Sequence, residues 1–116
     1  AGDSMSSSKE FVLFACDQAA AFGQTRSQLM FGDYMIYLNE RPIILICDDV
    51  PFVKKLPQLA PYLDGAPCGI PYPGAHERWI LDIENRELLE KVIPILEQNT
   101  PLPARKPRKK TAKTAP

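Results

Sequence analysis

His76 is the single histidine of the chain, set in Gly74-Ala75-His76-Glu77. Cys68 stands eight positions before it and Glu77 adjoins it. A histidine acts as general base only when a nucleophile lies within hydrogen-bond reach and a third group orients the ring. Cys68 and His76 are conceivable partners, but nothing around them matches a local signature of cysteine catalysis, which depends on family context. The expectation is an exposed loop histidine and no catalytic residue. Cys16, Cys47, Cys68 and His76 would make four zinc ligands in principle, yet no two share the two-to-four-residue spacing of zinc sites. Cysteine on an apolar face behaves as a small hydrophobe, so neither metal nor cofactor is expected. Asp48-Asp49 reads as a turn, because aspartate bonds its own backbone and stops strands. Gly65 and Gly69, with proline between them, make no phosphate loop. Tyr34, Tyr37, Phe52 and Trp79 would stack bases if they faced outward from a sheet; in an acidic body they read as core.

Charge is the clearest chemical signal. The chain has 116 residues and no formal net charge. After Thr100 every charged residue is basic: Arg105, Lys106, Arg108, Lys109, Lys110 and Lys113. Eight basic residues then face fourteen acidic ones in the remainder, an acidic body with a basic arm. These six cations are candidate nucleic-acid contacts of a weak, salt-sensitive and sequence-blind kind; the plainer reading is a solvated terminus. The arm is rich in proline, lysine, threonine and alanine, so disorder is expected over 100–116. Three cysteines spread far apart argue for reduced thiols in a cytoplasmic protein rather than a disulfide scaffold. No apolar run approaches the roughly twenty residues of a membrane span. No secretory signal is visible, and Ala1-Gly-Asp-Ser4 ahead of Met5 reads as a vector-derived remnant. One domain over 5–99 is expected.

The elements that must position these residues are legible as periodicities. Ser7-x-x-Glu10 has capping-box spacing, and a helix is expected from Ser8 to Phe22 with Gly23 as its left-handed stop. Its face carries Val12, Ala15, Cys16, Ala19 and Phe22. Gln24 to Met30 reads as a strand, followed by a turn at Phe31-Gly32-Asp33. Then come strands at Tyr34–Leu38, Ile43–Cys47 and Val50–Val53, separated by Asn39-Glu40-Arg41 and Asp48-Asp49. Pro42 and Pro51 fall where strands open, the positions that tolerate a missing N–H. Leu56 to Gly65 fits a short helix of two turns. The proline-rich stretch 66–75 reads as a loop, or as an irregular edge strand around Ile70 and Tyr72. Glu77 to Ile83 alternates as a strand, with Trp79, Leu81 and Ile83 on one face and Arg78, Ile80 and Asp82 on the other. Asn85 caps a last helix whose stripe is Leu88, Leu89, Val92, Ile93 and Leu96. Pro94 inside it predicts a kink or an early end. The order α-β-β-β-β-α-β-β-α implies an α+β two-layer domain, a mainly antiparallel sheet with helices on one face.

The run Met30-Phe31-Gly32-x-Tyr34, then Ile36-Tyr37-Leu38, a strand ending in Asp48-Asp49, and Phe52-Val53-Lys54 resembles the N-terminal domain of the TfoX/Sxy competence-regulator family. Ser8-Lys9-Glu10-Phe11-Val12, Pro73, the strand at Trp79 and the helix from Glu87 extend the resemblance over roughly residues 8–98. Asp33 and Met35 stand where that family often has glycine, and Asn39-Glu40-Arg41 replaces its tight Asp-Gly turn. The resemblance implies a secretion-chaperone-like sandwich, α-β(3)-α-β(2)-α. It also implies a non-catalytic module that regulates competence or transcription through a protein partner. Full-length members carry a second, helical domain; this chain carries the basic arm instead. The surfaces expected to meet a partner are an uncovered sheet face and the 66–75 loop, where proline limits the entropy lost on docking. A homodimer is a further expected assembly, nucleic-acid association through the arm is the alternative, and no membrane contact is expected.

Overall fold

The computed structural model describes residues 9–30 and 32–103. Four consecutive strands form an antiparallel meander: β1 (Thr25–Met30), β2 (Asp33–Leu38), β3 (Arg41–Cys47) and β4 (Val50–Val53). Two short strands complete the sheet, β5 (Cys68–Gly69) and β6 (Arg78–Ile80), in the order β1-β2-β3-β4-β6-β5. The two central turns are tighter than the polar breaks imply. Asn39-Glu40 and Asp48-Asp49 all take left-handed φ, 51°, 69°, 55° and 61°, and Arg41 belongs to β3. Two successive left-handed residues match the twist of a hairpin, but each costs a non-glycine residue about 1 kcal/mol. The first turn is held by its side chains. The Arg26 guanidinium donates to both Glu40 carboxylate oxygens at 2.9–3.1 Å, and the Asn39 side-chain oxygen accepts from the Gln24 N–H at 3.1 Å.

Gly23 makes room for that arrangement. A Cβ there would stand 2.6 Å from the Asn39 amide nitrogen. Its φ of 156° and ψ of −163° lie in a region that glycine alone adopts readily but outside the left-handed helical one, so it ends the helix without the left-handed bend expected of it. Just past the first turn, β3 carries a bulge: Tyr37 faces Pro42 while Ile36 faces Ile44. Ile43 is the extra residue, which is why Ile43 and Ile44 are both buried. A proline without an N–H fits such an interruption.

All three helices cover one face. Helix α1 (Lys9–Ala19) continues as a 3₁₀ turn to Phe22. The capping serine expected at position 7, and Ser8, lie outside the described residues. A 3₁₀ turn at Pro57–Leu59 runs into α2 (Ala60–Leu63), and α3 spans Arg86–Asn99. Val12 and Ala15 of α1, Leu63 of α2 and Leu89, Val92, Ile93 and Leu96 of α3 pack on Ile36, Leu38, Ile44, Ile46, Val53 and Trp79 of the sheet. Each such aliphatic side chain, once buried, contributes about 1.5–3 kcal/mol. Three expectations are corrected. The edge strand lies at Cys68–Gly69, not around Ile70 and Tyr72, because Pro71 and Pro73 cannot extend a ladder. Strand β6 is three residues long, although Leu81 and Ile83 keep the buried alternation. Helix α3 passes through Pro94 to Asn99 without an early end. The buried stripe on both sides of Pro94 outweighs one lost backbone bond, and Arg41 donates to the Thr100 carbonyl at 2.6 Å just past the last turn. The α+β two-layer reading with helices on one face holds.

Candidate functional site

The residues named for chemistry are scattered. His76 is exposed in the 70–77 loop. Cys16 is half-buried on α1, where desolvation raises its thiol pKa. Asp48 and Asp49 form an exposed turn. Cys47 is buried, and desolvation followed by donation to the Asp33 carboxylate pushes its thiol up to about 12. Both effects disfavour the thiolate that nucleophilic attack requires. Cys68 is exposed on the edge strand. Beside it the Lys55 ammonium bonds Glu77 at 2.7 Å and sits 5.6 Å from the centre of the Trp79 ring, while the Cys68 thiol donates to the Ala66 carbonyl at 3.6 Å. Among the described residues no three His, Cys, Asp or Glu side chains are placed to hold a metal ion. The Met-Phe-Gly-x-Tyr run is structural where it is described. Met30 closes β1 and its sulfur accepts from the Tyr37 hydroxyl at 3.9 Å. Gly32 takes a φ of 86° with open space around it, and Tyr34 pairs with Leu29. Phe31 and the cations Arg105, Lys106, Arg108, Lys109, Lys110 and Lys113 lie outside the described residues.

The sheet face away from the helices offers something else. Leu45, Cys47 and Phe52 form a second buried cluster, flanked by half-buried Met35, Val50 and Ile80. Every one of these residues belongs to a strand. Met35 is opposite Leu45, Leu45 opposite Phe52 and Phe52 opposite Ile80, so an apolar band crosses β2, β3, β4 and β6. Gly69 keeps it continuous, since a Cβ there would meet the Phe52 ring at 3.1 Å. An arginine flanks each end. Arg26 lies over the Tyr37 ring, 4.0 Å from its centroid, with its charge held by Glu40. Arg78 is half-buried, and its Nε is buried without a hydrogen-bond partner. Of the four aromatics considered for stacking, Trp79 faces the helices, Tyr37 and Phe52 face the band, and Tyr34 packs at the helix side. The alternation Arg78-Trp79-Ile80 already separates the two faces in the sequence. The orphaned Nε carries no sequence signal, because it depends on what the other strands fail to supply. The 66–75 loop does expose Ile70 and Tyr72, but these are not gathered into the band.

Over 112 residues, 95% of this chain and 96% of the relative, the sequence is 30% identical to a protein of Spirochaeta aurantia described as an uncharacterized 12.7 kDa protein in the trpE 5′ region. The chain belongs to the family of that protein. The family match leaves little of the chain outside it, so it takes in the sheet and the helical layer together. No family model matches the chain, and no solved structure matches it. Among the described residues no helix is long and apolar enough to cross a membrane.

Proposed function

We propose that this protein is a non-catalytic interaction module whose helix-free sheet face receives a protein partner. The observation that carries this is the Nε of Arg78, buried and unpartnered at the rim of an apolar band. A buried donor left unsatisfied costs about 1–3 kcal/mol, and a carboxylate or carbonyl from a partner would recover it. The partner this face fits therefore brings a short apolar stripe with an acidic group at one end. The likeness to the competence-regulator domain at Met30, Phe31, Gly32 and Tyr34 suggests the setting: regulation of competence or transcription in the cytoplasm, through protein contact. Affinity capture from source cells at physiological salt tests this with three baits, the native chain, Arg78→Glu and Ile80→Asp. A protein held by the native chain and lost with both variants is the expected result. Capture indifferent to both contradicts the proposal.

A second reading rests on the six cations between Arg105 and Lys113, with no acid among them. They favour weak association with nucleic acid, for which affinity falls steeply with salt. Affinity for DNA or RNA that survives deletion of residues 101–116 would rule it out.

A further inference from the structure

The two edges of the sheet are treated differently. Strand β5 is two residues long, between Pro67 and Pro71, which blunts that edge against further pairing. Strand β1 is six residues long, with no proline, no lysine and no bulge against β2. The Asn39 N–H donates to the Gln24 carbonyl at 2.7 Å. Because antiparallel bonds alternate, this fixes the phase: even-numbered residues of β1 turn their backbone groups to β2, and Thr25, Ser27 and Leu29 turn theirs outward. Among the described residues no strand stands on that side.

The outer flank of the helix above the same edge is also exposed. Leu13 and Leu29 are 65% and 58% exposed, and Leu13 lines an open hollow of about 320 Å³ with Lys9, Val12, Ser27 and Tyr34. Lys9, Leu13 and Asp17 follow at intervals of four, so they lie along one flank of α1, and all three are exposed.

We propose that a second copy of this chain pairs antiparallel with β1, carrying the sheet across a two-fold axis near Gln28. A dyad requires a patch that is its own complement. Lys9-Leu13-Asp17 meets this requirement. Turned end for end beside itself, it sets Leu13 against Leu13 and each Lys9 against Asp17 of the other copy. That self-complementary charge selects a second copy over an unrelated strand.

Sedimentation of the full chain across a concentration series tests the assembly. The native chain is expected to be dimeric. Ser27→Pro removes an outward N–H and leaves the bonds to β2 intact, so it should yield a folded monomer with an unchanged circular dichroism spectrum. Leu13→Asp should do the same, and serves if Ser27→Pro fails to fold. Lys9→Asp should weaken the dimer about tenfold at low salt by turning two attractions into repulsions, and adding Asp17→Lys should restore it. A monomer at every concentration overturns the proposal. So does a dimer insensitive to Leu13→Asp, a charge swap that restores nothing, or dimerisation seen only after residues 1–8 are removed.

Discussion

Burial and the Asp33 carboxylate together raise the Cys47 thiol from its ordinary 9.0 to about 12, and this has a consequence for stability. The unfolded chain loses the thiol proton near pH 9 while the folded chain keeps it. Below pH 9 the contribution is complete; between pH 9 and 12 the unfolded state holds fewer protons and stability falls. The urea midpoint of the native protein should therefore drop more steeply above pH 9 than that of Cys47→Val, a substitution close in volume that removes the titration. At neutral pH an alkylating reagent should modify Cys68 well before Cys47. Gly23 gives a second test at this scale. Gly23→Ala drives a methyl group into the Asn39 amide and strips the Gln24 N–H of its acceptor, so urea unfolding should show a loss of about 2–3 kcal/mol. Composition gives no hint of this role, because Gly23 is fixed by a side chain sixteen positions away.

Helix α3 shows what periodicity decides at the next scale and what it leaves open. Its stripe of Leu89, Val92, Ile93 and Leu96 and its Asn85 cap, which accepts from the Leu88 N–H at 3.1 Å, are both legible in the residue order. Its length is not, because the outcome at Pro94 turns on tertiary packing and on Arg41, a residue of the meander. Arg41 bonds the Thr100 carbonyl and pairs with Glu97 at 3.3 Å, placing a cation at the negative end of the helix dipole. Arg41→Met keeps the aliphatic stem and removes both contacts. It should cost about 1–2 kcal/mol and speed amide exchange in residues 96–99 selectively. Strand β6 makes the same point from the sheet. Trp79, Leu81 and Ile83 announce a buried face, but the ladder thins once Leu81 has bonded the Pro51 carbonyl. Beyond it Asp82 folds the chain back, accepting from the N–H groups of Glu84 and Asn85.

Taken whole, the molecule is a sheet covered by helices on one side; among the described residues the other side carries no helix, and its apolar band is largely closed by its own strands. The order of the helices and strands among the described residues follows from the sequence, as does the separation of Trp79 from Arg78 and Ile80. What the helix-free face is for depends on its neighbours across four strands, and no local pattern encodes that. If the basic arm serves a separate purpose, deleting residues 101–116 should abolish salt-sensitive DNA retention and leave partner capture unchanged. The helix-free face is proposed as the place where a partner sits. The most direct test of this is a benzophenone side chain in place of Met35, photoactivated in living cells, with the same group at Glu87 on the helical side as reference. The expected result is an adduct from position 35 that disappears when Arg78→Glu is added, and no such adduct from position 87. Adducts from position 87 alone, or an adduct at 35 that ignores Arg78→Glu, would contradict it.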